Sequence, residues 1–278
     1  MDDFNIRDKV AVITGGAGII CSTMAKALAL HGVKIVILDL NKEAADKVAE
    51  EIQNETGSKA IGISANVLDR LSLENAKREI NTKVGNIDIL INGAGGNSPA
   101  ATTKVETMEG GEPLEETFYG LKTEGFDRVF DLNFNGTLLP SIVLTTDMIS
   151  KRSGVIVNIS SMNSYRPLTK IPAYSAAKAA VNNFTQWLAV HLAKTGVRVN
   201  AIAPGFLLTN QNRFLLTDEK TGEMTPRGKK ILNGTPMKRY CIPEELSGTL
   251  LYLVSDLSKF VTGVVIPVDG GFSAYSGV

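Results

Sequence analysis

The chain has 278 residues, 44% of them hydrophobic, and its 29 Lys and Arg balance 29 Asp and Glu to a net charge of zero. That length suits one large α/β core with elaborated loops, and the lack of a Lys/Arg stripe argues against nucleic acid or an anionic membrane as partner. No apolar run approaches the ~20 residues of a membrane span, MDDFNIRDKV lacks the regions of a signal peptide, and Cys21 and Cys241 are too few and too isolated for a disulfide framework or zinc site, so a cytoplasmic protein with reduced thiols and no metal is expected.

Short β-rich runs alternate with helical patterns: VAVITGG from Val10, KIVILDL from Lys34, AIGISANV from Ala60, IDILINGAG from Ile87, GVIVNISS from Gly154, RVNAIAPG from Arg198 and VVIPVDGG from Val264. Most are continuously apolar, as strands covered on both faces must be. Their alternation with helices predicts a single α/β domain, a doubly wound parallel sheet of about seven strands with helices on both faces.

The first strand runs into Thr14-Gly15-Gly16-Ala17-Gly18-Ile19-Ile20-Cys21 and then directly into the helical pattern MAKALALHG. Glycines at a strand-to-helix turn let the backbone approach a pyrophosphate, whose charge the helix N-terminus favours. Thr14, Gly15, Gly16, Gly18, Ile19 and Ile20 are therefore candidate cofactor contacts, and Cys21 narrows the space beside them. Asp39 ends the second strand, where a carboxylate can accept hydrogen bonds from ribose hydroxyls and repel a 2′-phosphate. With Leu40 and Asn41 following and no arginine alongside, NAD is expected over NADP. Asn41 is also placed to cap the helix KEAADKVAEEIQ.

The fourth strand leads to Asn92-Gly93-Ala94-Gly95, whose small residues let a cofactor pass close to the backbone. The long polar stretch 96–125 is expected to border an active-site mouth, with Asn97 a substrate candidate. In FDRVFDLNFNGTLLPS apolar residues recur at helical spacing and read as core or subunit interface.

After GVIVNISS comes MNSYRPLTKIP, the expected floor of a substrate pocket, in which Met162, Asn163 and Arg166 are candidates; an arginine can hold a carboxylate bidentately. Tyr174 and Lys178 follow at i and i+4 of a helical pattern, one turn apart on one face. A cation there is expected to lower the phenol's pKa from its usual ~10, and Ser161 can fix a substrate oxygen beside it. Further along, Phe184, Trp187 and Leu188 give the helix a second apolar face that suggests a homo-oligomer, a dimer or tetramer, with His191 in packing and His31 at the surface. After Pro204-Gly205-Phe206, a density of Asn210, Gln211, Asn212 and Arg213 suits a ligand bearing hydroxyls and a carboxylate. Pro243 opens a last helix at its tolerated first-turn position, before Val268-Asp269-Gly270-Gly271.

From Val10 to Gly271 these landmarks, in this order, resemble the short-chain dehydrogenase/reductase family. The resemblance implies a Rossmann-type fold, with catalytic Asn133 (in Asn-x-x-Gly), Ser161, Tyr174 and Lys178. It also implies cofactor contacts from Asn66 and Val67 against the adenine, from Asn92 to Gly95, Tyr174, Lys178, Pro204 and Gly205, and from Thr209 near the nicotinamide. Asn133 would support an ordered water linking the lysine to solvent, and residues 206–240 would form a substrate lid. Two departures stand out. Ile19 and Cys21 occupy the family's second and third glycine positions, and Gly93 replaces the second asparagine of Asn-Asn-Ala-Gly.

A narrower likeness, carried by TGGAGIIC, INGAGGN, SSMNSYRPLTKIPAYSAAKAAV and VDGGFSAYSGV, is to the D-mannonate oxidoreductase (fructuronate reductase) branch. It implies a small sugar-acid substrate, with a gluconate 5-dehydrogenase-like or other polyol dehydrogenase as the alternative. A non-catalytic NAD-binding regulatory protein would not need the Ser161, Tyr174, Lys178 and Asn133 set. An acyl-carrier-protein reductase would call for NADP preference and a basic docking patch.

Overall fold

The computed structural model describes residues 4–208, 216 and 222–277. The apolar runs form β1 (Val10–Thr14), β2 (Lys34–Asp39), β3 (Ala60–Ser64), β4 (Ile89–Asn92), β5 (Gly154–Ile159), β6 (Val197–Pro204) and β7 (Val265–Val268). They pair in parallel throughout, in the order β3-β2-β1-β4-β5-β6-β7. Between them lie α1 (Ile19–Ala29), α2 (Lys42–Thr56), α3 (Arg70–Lys83), α4 (Thr123–Phe130), α5 (Gly136–Leu144), α6 (Thr146–Lys151), α7 (Pro172–Leu192), α8 (Pro226–Gly234) and α9 (Ser247–Val254).

Side-chain alternation explains why the runs are continuously apolar. Ala11 and Ile13 of β1 enter a core with Met24 and Leu28 of α1, Ala45 of α2 and Leu250 of α9. Val10 and Val12 of the same strand face the opposite way, toward Leu73 and Ile80 of α3, Leu144 of α5 and Ala189 of α7. With both faces buried, each strand loses the polar alternation of a half-exposed one.

The chain crosses from β3 at one edge back to β4 beside β1. The connections on either side of that reversal leave in opposite directions and open a crevice beyond the carboxyl ends of β1 and β4. The helix starts differ in a way that matters there. Asn41 caps α2 as expected, accepting from Ala44 N at 3.1 Å, and Asp69 caps α3 through Leu71 N at 2.8 Å. By contrast, α1 starts at Gly18 with no side-chain cap and no acidic residue in its first turn. Its first N–H groups are left to the crevice.

Among the described residues, no helix is long and apolar enough to cross a membrane, and no three His, Cys, Asp or Glu side chains gather as a metal site.

Candidate active site

A cavity of about 600 Å3 occupies the crevice, lined from six places in the chain. The β1–α1 turn supplies Gly15 and Gly18 to Cys21, β2 supplies Asp39, the β4 turn supplies Gly93 to Gly95, and Ser161 to Asn163, Tyr174 and Gly205 to Leu207 complete it.

Close backbone packing shapes one half of this cavity. Gly15 has φ +60°, and a Cβ there would stand 2.9 Å from the Ala94 Cα, so the two turns meet backbone to backbone. Thr14 Oγ1 ties them, accepting from Gly93 N at 3.1 Å and Ala94 N at 3.3 Å. Asp39 braces the first turn, its Oδ2 accepting from Ala17 N at 3.2 Å and its Oδ1 from Asn41 N at 3.1 Å. Each oxygen keeps a lone pair for a ligand hydroxyl.

The two departures from the family pattern turn out to be one arrangement. Any Cβ on Gly93 would overlap Cys21 Sγ. The bulk absent at residue 93 stands at residue 21 instead. Burial pushes the Cys21 thiol up to about 12, so it stays neutral and packs as a small apolar group.

The other half holds the polar chemistry. β5 ends at Ile159, and Ser161 caps the short 3₁₀ turn Met162–Ser164, its Oγ accepting from Asn163 N at 3.2 Å. Pro172 at the first position of α7 puts Tyr174 in the first turn, where it lines the cavity with Ser161, whose hydroxyl favours its phenolate. Lys178 is buried one turn further on, its Nζ donating to Ile159 O at 2.7 Å and lying 5.8 Å from the centre of the Tyr174 ring. A Cβ on Gly95 would fall 2.7 Å from Asn133 Oδ1 and 3.2 Å from Lys178 Nζ, so both side chains border space that glycine leaves open.

Asn133 lies in a π-helical turn, Asp131–Asn135, an irregularity frequent at functional sites. Its Nδ2 donates to Gly96 O at 2.7 Å and Val129 O at 2.8 Å, and its Oδ1 accepts from Gly96 N at 3.2 Å. The side chain thereby clamps the β4 turn.

One electrostatic expectation is corrected. Burial raises the Tyr174 phenol above its ordinary value, and only the hydrogen bond with Ser161 pulls it down. Lys178 does not contribute to the shift, although its own ammonium, brought down to about 8 by burial, is still mostly charged at neutral pH.

Several other candidates stand elsewhere. The Asn92 side chain is not in the cavity: its Nδ2 donates inside the core to Ser141 Oγ at 2.9 Å and Asn158 Oδ1 at 2.8 Å. Val67 is buried in the core beside Gly136, Asn66 turns its Oδ1 onto Leu68 N at 2.9 Å, and Leu40 is 72% exposed. None of these three lines the cavity, nor do Thr14, Gly16 and Pro204. Asn97 donates to Thr102 Oγ1 at 3.1 Å, while Arg166 lines a neighbouring cavity. Thr209, Asn210, Gln211 and Arg213 lie outside the described residues. Leu207 was missed by the sequence reading. It lines the cavity because Cys241 N donates to Phe206 O at 2.9 Å and Leu208 N to Cys241 O at 3.1 Å, a pairing between distant segments with no local motif.

Cavity and side chains together fit a dinucleotide and a hydroxylated partner. The glycine-lined turns leave room that any Cβ would fill, and the uncapped α1 offers N–H groups to a phosphate. Asn163 Oδ1, buried in the wall, has no hydrogen-bond partner among the described residues. Such an orphaned acceptor is a place for a ligand hydroxyl.

Comparison with known proteins gives the same direction. The family model for short chain dehydrogenases matches residues 9–220. An uncharacterised oxidoreductase from Bacillus subtilis is 53% identical over 276 residues, covering 99% of this chain and 98% of the relative. A 2-dehydro-3-deoxy-D-gluconate 5-dehydrogenase from Formosa agariphila is 32% identical, covering 100% and 97%. Among solved structures, a Haemophilus influenzae protein described provisionally as a D-mannonate oxidoreductase, with NAD bound, superposes with a TM-score of 0.95 at 53% identity, covering 100% of this chain and 99% of the other.

Proposed function

This chain belongs to the short chain dehydrogenase family of oxidoreductases, which act on alcohols and ketones, and from that premise we propose that it is an NAD(H)-dependent enzyme interconverting a secondary alcohol and a ketone on a sugar acid, D-mannonate and D-fructuronate first. The observation that carries the reading is the meeting of Ser161 and Tyr174 in one cavity with Asp39 and the glycine turns, with Lys178 buried directly behind the Tyr174 ring. The 53%-identical Haemophilus protein supports both the cofactor and the sugar acid.

Gly15, Gly18, Ile19 and Ile20 would hold the cofactor's pyrophosphate, Asp39 its ribose hydroxyls, and Gly93 to Gly95, Gly205 and Phe206 its nicotinamide half. When bound, NAD supplies the hydride acceptor. The protein's own residues do the rest. Ser161 and the orphaned Asn163 Oδ1 orient substrate hydroxyls. Tyr174 takes the hydroxyl proton in oxidation and returns it in reduction. Lys178 donates to the ribose, while Asn133, hydrogen-bonded to Gly96, serves the relay to solvent. In this reading the chain is one domain with its lid around residues 206–240, and Trp187 and Val190, 57% and 79% exposed on α7, belong to a homo-oligomer interface.

Replacing Tyr174 with Phe should lower kcat by on the order of 10²- to 10⁴-fold while leaving NADH binding, read by fluorescence, within a few-fold. A Tyr174→Phe enzyme of normal turnover would refute the assignment. Purified protein assayed with NADH and NADPH against keto-uronates and keto-gluconates decides the substrate. A 5-keto-D-gluconate 5-reductase from Escherichia coli, 31% identical over 271 residues, favours 5-keto-D-gluconate as the second choice.

A further inference from the structure

A second cavity, of about 470 Å3, adjoins the first through Phe206, which lines both. Its walls come from the loop after Ser161, from α8 and from the C-terminal segment. Four cations meet there: Arg166, Lys170, Arg227 and Lys230. Among the described lining residues Glu106 is the one carboxylate, and it pairs with Lys230.

Four cations against one anion leave an excess of positive charge, and this on a chain whose overall charge is zero. Like charges gathered in a cavity repel, and a bound anion relieves the repulsion. The Glu106 carboxyl senses the cluster. It lies below its ordinary value, first through the hydrogen bond from Lys230 and further through the charges of Lys230, Lys170 and Arg227.

The loop carrying two of these cations is held in place. Tyr165 Oη donates to Val265 O at 2.9 Å, and the Lys170 carbonyl accepts from Thr103 N at 2.9 Å. Lys170 itself sits at φ 72°, a left-handed conformation that a lysine adopts only when its surroundings impose it. The same loop places Ser161, Met162 and Asn163 in the first cavity and Arg166 to Lys170 in the second. Its fixed course sets the separation between the reacting hydroxyl and the cations. Phe206 and Phe272, edge to face at 5.2 Å, give the space between an apolar surface suited to a carbon chain's C–H groups.

We propose that this second cavity is the carboxylate subsite of the enzyme: it holds the acid end of a linear hydroxy acid, with Arg166 and Arg227 as the partners able to bind it bidentately, while the reacting alcohol lies at Tyr174. The proposal rests on the sugar-acid reading and adds the residues that distinguish an acid from its neutral alditol.

The test compares D-mannonate with D-mannitol, and D-fructuronate with 5-keto-D-gluconate, in wild type, Arg166→Gln, Arg227→Gln and the double variant. Loss of a charge-assisted hydrogen-bond partner should raise KM for the acid by roughly 10- to 100-fold with little change in kcat, and KM for the acid should rise with salt in wild type far more than in the double variant. Lys259→Gln, remote from both cavities, should not move the ratio of acid to alditol. Should the double variant keep its KM for D-mannonate, or should the wild type use neutral alditols as readily as acids, the subsite is wrong. If 5-keto-D-gluconate is reduced in place of D-fructuronate and the double variant loses it, the subsite stands and the D-mannonate reading falls.

Discussion

The two cavities that share Phe206 are built by opposite means. The dinucleotide side is made of glycines packed backbone to backbone, one neutral buried thiol and an uncapped helix, so its shape is set by contact distances of a few ångströms. The neighbouring cavity is made of long cationic side chains on a loop and a short helix, closed by the C-terminal segment, and its character is set by charge. Steric fit fails abruptly because interiors are close-packed, whereas exposed charge acts by degrees and is screened by salt. Substitutions on the first side should therefore break the enzyme, and those on the second should retune it.

Gly93→Ala sharpens that contrast most. Its Cβ would overlap Cys21 Sγ and stand 2.9 Å from Thr14 O, so stability should fall by about 1–3 kcal/mol and NADH affinity with it, measured by thermal unfolding and fluorescence titration. Adding Cys21→Gly should restore part of the loss, with the Thr14 contact remaining. If the single change is silent, the steric account of residues 21 and 93 is wrong. Asp39→Ala should be milder, weakening NAD by roughly tenfold through lost ribose hydrogen bonds and narrowing the preference over NADP, read as the ratio of kcat/KM values.

Lys178 offers a test by pH. Its folded value near 8 lies below the 10.5 of a free lysine, so the unfolded chain holds more protons between those limits. Stability should accordingly rise with pH from about 8 toward 10.5 and carry the full penalty below 8. Unfolding of wild type and Lys178→Met, compared from pH 7 to 10, isolates the effect: the wild type should gain relative to the variant as pH climbs. The smallest change is expected from Trp187→Lys, which should leave the monomer's fold intact and lower the assembled mass seen by light scattering.

Much of the dinucleotide side was legible beforehand. Asp39 at the end of β2, Asn41 as a helix cap, and Tyr174 with Lys178 on one face of α7 all follow from local rules, a strand's length, a cap's chemistry or the helical period. Asn92 was misread because its neighbours in sequence do not reveal Ser141 and Asn158, the partners that draw its amide into the core. The direction of the Tyr174 shift was misjudged for a related reason: spacing brings two groups together, but burial of the phenol itself makes its charged form costly.

By itself the sequence determined the order of strands and helices, the parallel sheet and the pairing of Tyr174 with Lys178 on one helix face, since periodicity and hydrophobic runs act over a few residues. Only the tertiary structure decided that Cys21 fills the place beside Gly93, that Asn92 belongs to the core, and that cations from residues 166–170 and 227–230 share one cavity. Those outcomes depend on which surfaces meet and how much water they exclude, and such contacts join residues too far apart along the chain for any local pattern to record.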